Sequence, residues 1–204
     1  MNFKTIIRSI IIYSILIALY SIGLYKTSLN NYIFSIYEHM CILLALVPLL
    51  FAESSNLIKY HVNSRNDYLN FLLRNNLFYA VIFWFAVIII KLFAILINNI
   101  NINIMLYIIH SMLLLYEIFI LILIFTFIFL LPNKKNREIL KYIYIALTFI
   151  YLFTGNKFTL ILNPILLSTI YFSINKLWIL INFITSLFIV LILYSFIEKG
   201  DYSD

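Results

Sequence analysis

The chain of 204 residues is 65% hydrophobic and only 11% charged, whereas ordinary soluble domains are about 45 to 50% apolar and about 25% charged. A chain of this size has too little interior to hide that excess, so a soluble globular domain is excluded and lipid becomes the solvent for most side chains. The formal charge of +6 would suggest nucleic acid in a soluble chain, but here its placement must first be tested against a membrane.

At about 20 residues per membrane helix, six spans take about 120 positions and leave about 80 for loops and ends, too few for a separate soluble domain. The first apolar run, about 6–25, follows Lys4 and contains Arg8. Ser21 and Gly23 could precede a signal cleavage site, but the run exceeds a usual signal core and is read as an uncleaved span. The second span, about 32–52, is interrupted by Glu38 and His39 and carries Pro48 near its end. Residues 53–76 form the most polar segment, in which Lys59, His61, Arg65, Asp67 and Arg74 alternate with apolar residues as in an amphipathic connector.

A third span is expected over 77–97, with Lys91 inside it, and the tract Asn98 to Asn103 turns the chain. The fourth, 104–131, would be about 42 Å long at about 1.5 Å per residue and must tilt, bend or protrude from a core of about 30 Å. Pro132 ends it, and Lys134, Lys135, Arg137, Glu138 and Lys141 follow. A fifth span ends at Thr154; it is short from Tyr142 and reaches 139–154 if the charged residues form its interfacial start. Asn163 and Pro164 break the apolar stretch from Phe158 to Ile174, which suits a re-entrant or interfacial element. The last span is 177–197.

Loop charges set the orientation. One side collects Lys4, Arg8, Lys59, Arg65, Arg74, Lys134, Lys135, Arg137, Lys141 and Lys199, and the other Lys26, Lys157 and Lys176. Six spans in a cell membrane with both termini in the cytoplasm satisfy this split. The positive charge is then topological, and no nucleic acid is expected as a partner. The richness in Ile, Asn, Lys, Phe and Tyr reflects AT-rich coding, as in a low-GC bacterium, and says nothing about function.

Chemical motifs are sparse. The glycines at 23, 155 and 200 form no phosphate-binding loop, the zinc-protease pattern HExxH is missing, and no cofactor or metal is expected. Glu38 and His39 point about 100° apart on a helix, a weak metal signal. Cys41, the only cysteine, reads as a small buried hydrophobe. The aromatic residues, Trp84 and Trp178 among them, read as lipid-facing or interfacial anchors.

The informative residues are ionisable groups inside spans, each costly if it faces lipid. Glu38, Lys91 and His110 lie at similar depth, each about six residues from the outer end of its span, with Glu117 about two turns deeper. An ion pair between Glu38 and Lys91 with His110 near it is expected. Such a patch either fixes helix packing or lines a substrate path or proton relay.

This arrangement resembles the small permease subunits of bacterial ABC transporters of the ABC-2 type. The most specific stretch runs from Leu49-Leu50-Phe51-Ala52-Glu53 through Asn63-Ser64-Arg65-Asn66-Asp67-Tyr68 to Phe71-Leu72-Leu73-Arg74, similar to the family's acidic residue, Ser-Arg step and return helix. The ending Phe196-Ile197-Glu198-Lys199-Gly200-Asp201 is similar to the short charged tail after the sixth span. The glycine that often follows the acidic residue is missing after Glu53, and few residues precede the first span.

The resemblance implies an all-α integral membrane protein, a six-helix transmembrane bundle with a cytoplasmic coupling helix between spans 2 and 3 and a re-entrant element before span 6. It implies a separate cytoplasmic ABC ATPase that binds the ATP and docks on Leu57 to Asn70, with Glu53, Lys59, Arg65 and Asp67 as coupling residues. A homodimer or a second permease subunit would complete the pathway. The implied substrate is hydrophobic or amphipathic, above all an antimicrobial or membrane-active peptide, in export or in bacteriocin immunity. Competing expectations are a self-contained transporter that couples protons through Glu38, Lys91, His110 and Glu117, a stand-alone bacteriocin immunity protein, and a membrane enzyme, for which no nucleophile or metal set was found.

Overall fold

The computed structural model describes residues 3–23, 36–50, 65–97, 99, 101–131 and 133–154, with helical positions 180, 183–184, 187–188, 190–192 and 194–195. All elements among the described residues are α-helices: α1 Phe3–Gly23, α2 Ile36–Leu50, α3 Arg65–Ile97, α4 Ile104–Leu130 and α5 Lys134–Thr154. The stretches Asn70–Ile97 and Ile104–Ile128 are long and apolar enough to cross a membrane. The element expected over 158–174 and most of the last span lie outside the described residues, as do Glu53 and Lys59.

Two boundaries differ from the sequence expectation. The third span was expected from Leu77, after a connector, but α3 starts at Arg65 and runs on without a break. Polar residues interrupt the apolar run there without interrupting the helical period, because Leu72, Asn76, Tyr79, Ala80 and Phe83 continue one buried face. The fifth helix likewise starts at Lys134, inside the charged cluster. Asn133 sets that start: its Oδ1 accepts from the backbone N–H of Lys135 at 2.9 Å and of Asn136 at 3.3 Å, an N-cap.

The asparagine tract between α3 and α4 works by the same chemistry. Asn99 ends the preceding helix with a left-handed backbone, φ 49°, a conformation asparagine tolerates better than most residues. Its N–H reaches back to the carbonyl of Leu96. Asn103 then caps α4, with its Oδ1 accepting from the N–H groups of Met105 and Leu106. A short turn between two long helices folds them back as an antiparallel hairpin.

The chain divides into two compact units, Met1–Phe119 and Ile120–Asp204, the division falling inside α4. In the first unit α1 packs against α2 and α3. Its helices carry apolar outer faces around an inner face that is largely apolar with a few polar residues buried in it. On α1, Ile7, Ile11, Ile15 and Leu19 are exposed at four-residue spacing, while Thr5, Ser9 and Tyr13 are buried. On α3, Phe71, Phe78, Phe85, Phe93 and Leu96 are exposed while Asn76 and Lys91 are buried. Lipid accommodates such exposed apolar rows, while Leu72, Phe83, Val87 and Ile95 keep the inner face of α3 largely apolar around Asn76 and Lys91.

Three hydroxyl groups in the helices are occupied locally. Ser14 Oγ, Ser111 Oγ and Thr126 Oγ1 each donate to the carbonyl four residues earlier at 2.8 Å, which satisfies a polar group where no water is at hand. In the second unit the residues of α4 from Ile120 to Phe125 are all buried. Leu180, Phe183, Ile184, Leu187, Phe188 and Leu191 are exposed at helical spacing, again an apolar outer face.

Candidate functional site

The α3–α4 hairpin brings two ionisable residues to the same height. Lys91 lies six residues before the end of α3 and His110 six residues after the start of α4, so the turn between them places both in one layer. The register is held by direct ties between the helices. Trp84 Nε1 donates to the carbonyl of Ser111 at 2.7 Å, and Tyr107 Oη donates to the carbonyl of Ile88 at 3.5 Å. Trp84 is half-buried and hydrogen-bonded between helices, and Trp178 lies outside the described residues.

Glu38, near the start of α2, enters the same layer. Its Oε1 lies 2.5 Å from Lys91 Nζ and its Oε2 lies 3.4 Å from His110 Nε2. His110 Nδ1 is 3.5 Å from Lys91 Nζ, and the Lys91 ammonium sits 5.6 Å from the centre of the Tyr107 ring. The side chains of Glu38, Lys91 and His110 are each 1% exposed or less. Three helices thus meet in one buried charge cluster, with a cation–π contact on one side.

The neighbours of the imidazole assign its tautomer. Nε2 faces a carboxylate and carries the hydrogen; Nδ1 faces an ammonium and offers its lone pair. A neutral ring meets both demands at once. Glu38 and Lys91 then cancel, and the three groups together carry no net charge, the arrangement a low-dielectric interior tolerates best.

Of the other residues singled out in the sequence, Glu117 is buried on α4, seven residues and so two turns beyond His110 on the same face. Arg65 and Asp67 lie in the first turn of α3, and Cys41 is half-buried on α2. Among the described residues no group of three His, Cys, Asp or Glu is placed to hold a metal ion. Sequence reasoning missed Trp84, Tyr107 and Ser111. A signal for two of them existed, because Trp84 is seven residues before Lys91, and Tyr107 three before His110, and such spacings share a helix face.

A second buried polar group lines α1 and α3. Ser9, Tyr13 and Asn76 are each 1% exposed or less, and the Tyr13 ring packs edge-on against Phe83 at 6.1 Å. These groups are neutral near physiological pH, so they add hydrogen-bonding capacity without charge. Comparison with protein-family models, with curated proteins and with solved structures gives no match to this chain.

Proposed function

We propose that the chain is a membrane-spanning permease subunit of an ATP-driven exporter of the ABC-2 type, with six spans and both termini in the cytoplasm. The observation that carries this reading is α3, which runs unbroken from Arg65, in the stretch that resembles the family's coupling segment, to the buried Lys91 and on to Ile97. Its 33 residues make a rod of about 50 Å at about 1.5 Å per residue, longer than the hydrocarbon core of about 30 Å. A rigid rod carries a push at its polar end to the charge cluster at the other.

In this reading a separate cytoplasmic ABC ATPase binds ATP and docks on Leu57 to Asn70, with Glu53, Lys59, Arg65 and Asp67 as the coupling charges. A pathway needs two such bundles, supplied by a homodimer or a second permease. The exposed apolar faces of α1 and α3 support a lipid environment, and an interior of few charges suits a hydrophobic or amphipathic substrate, foremost a membrane-active peptide.

The test is purification of the chain from its native cell in mild detergent, with mass spectrometry of whatever accompanies it, repeated after reversing the charges at Arg65 and Asp67. An ATPase is expected with the original chain and lost from the variant. No ATPase with either form would overturn the permease reading.

A further inference from the structure

We propose that Glu38, Lys91 and His110 form a proton-binding site that acts as a latch between α2, α3 and α4, closed while His110 is neutral and opened when the imidazole takes up a proton. As a device for transport this deepens the reading above and rests on it, whereas its chemistry needs no ATPase, so the two can fail separately.

The argument starts from the two ring nitrogens. In the closed form the Nε2 hydrogen faces Glu38 at 3.4 Å and the Nδ1 lone pair faces the Lys91 ammonium at 3.5 Å. A proton bound at Nδ1 turns the second contact from attraction into repulsion and leaves one carboxylate between two cations. At 1% exposure or less water does not screen them. One cation must withdraw.

Lys91 is the one able to do so. Its ammonium ends a flexible four-carbon stem, while the imidazole hangs on a short stem and already faces Glu38 through Nε2. The imidazolium keeps the carboxylate, and the tie from α2 to α3 is released. The face of Tyr107, already 5.6 Å away in the closed form, stays an attractive surface for the ammonium once it leaves Glu38.

The other titratable groups around the ring do not reproduce this arrangement. Glu38 comes from α2, Lys91 from α3, and Tyr107 and the more distant Glu117 from the histidine's own helix. From α1, packed against α2 and α3, the buried titratable residue among those described is Tyr13, beside Phe83, while Lys4 and Arg8 are exposed. His110 is the group among these whose ordinary titration falls between pH 5 and 8. Because α3 is continuous to Arg65, release of Lys91 frees the rod on which the coupling segment sits.

The experiment follows thermal unfolding of the full-length chain in lipid nanodiscs between pH 8 and pH 5, for the unmodified protein, His110→Gln and Lys91→Met. Glutamine offers an N–H to Glu38 and a carbonyl to Lys91 but does not titrate. The closed native state excludes a proton that the unfolded chain binds, so the unmodified protein loses stability as pH falls through the ordinary histidine range near roughly 6.5. A midpoint lower by about 2 to 4 °C relative to His110→Gln is expected at pH 5, against none at pH 8. Taking the difference removes the titration of His39 and His61, which both proteins share.

In Lys91→Met the sign reverses. With the ammonium gone, the imidazolium has Glu38 to itself, and acidification over the same range stabilises this variant. Parallel curves for the unmodified protein and His110→Gln would overturn the latch, as would a Lys91→Met protein that follows the unmodified one. If Lys91→Met does not fold, the first comparison decides alone.

Discussion

Two lysine–glutamate pairs in this chain share their chemistry and differ in everything else. Glu38–Lys91 joins α2 to α3 with both side chains 1% exposed or less and a separation of 2.5 Å. Glu138–Lys141 joins neighbouring turns of α5 at 2.9 Å, with the carboxylate 40% exposed. The first fixes the relation of distant segments and has no water to fall back on. The second lies within one helix, its lysine buried and its carboxylate open to solvent. A buried pair is a poor source of net stability but a severe point of failure, because either partner left alone is a charge in lipid.

The largest expected effect breaks the first pair. Lys91→Met, which leaves the Glu38 carboxylate without its ammonium, should lower stability by about 3 to 5 kcal/mol, read by reversible unfolding in mixed detergent micelles. Glu38→Met combined with Lys91→Met removes both charges and should recover a large part of that loss. Equal loss in the single and double variants would show that the pair is not the unit that matters.

The next effect acts at the other region. α5 opens with Lys134, Lys135 and Arg137 and has no acidic residue in its first turn, so its cations sit at the positive end of the helix dipole. The Asn133 cap offsets this. Asn133→Ala should cost about 1 kcal/mol and fray the turn in which Glu138 begins its pairing, seen as faster amide exchange from Lys135 to Glu138. Unchanged exchange there would separate the second pair from its cap.

A smaller effect tests what aligns the first pair. Trp84→Phe keeps the aromatic bulk and deletes the bond to the Ser111 carbonyl, worth about 0.6 kcal/mol between helices in lipid. The change should be additive with Glu138→Gln and non-additive with Lys91→Met, since only Lys91 depends on the α3–α4 register.

The two regions were also unequally legible in the sequence. Glu38, Lys91 and His110 stood out because charge inside an apolar run is rare, and because equal offsets from the Asn98 to Asn103 turn place Lys91 and His110 together. The ties that align them did not stand out, since tryptophan and tyrosine in such a chain have an equally good use at the lipid surface. The helices start at Arg65 and Lys134, ahead of the spans expected over 77–97 and 139–154, for a related reason. Hydropathy marks where lipid begins, whereas a helix begins where its first N–H groups find acceptors, and Asn133 announced the second start by type and position.

The smallest effect is an asymmetry within the second pair. Lys141 is 5% exposed overall, far less than Glu138, so its ammonium depends on the carboxylate more than the carboxylate depends on it. Glu138→Gln should therefore cost more than Lys141→Met, the first about 0.5 kcal/mol and the second about 0.2 kcal/mol, the range of pairs with a solvent-exposed partner. Lysine limits even the first loss by extending its head toward water along its stem. Because Glu138 meets solvent, salt screens this pair: raising ionic strength from about 0.1 to about 1 M shortens the screening length from about 10 to about 3 Å and should bring both variants level with the unmodified protein. The Lys91→Met deficit should persist at the same salt, since ions do not enter a site at 1% exposure. A salt-sensitive Lys91→Met deficit would place water beside Glu38 and erase the contrast between the two pairs.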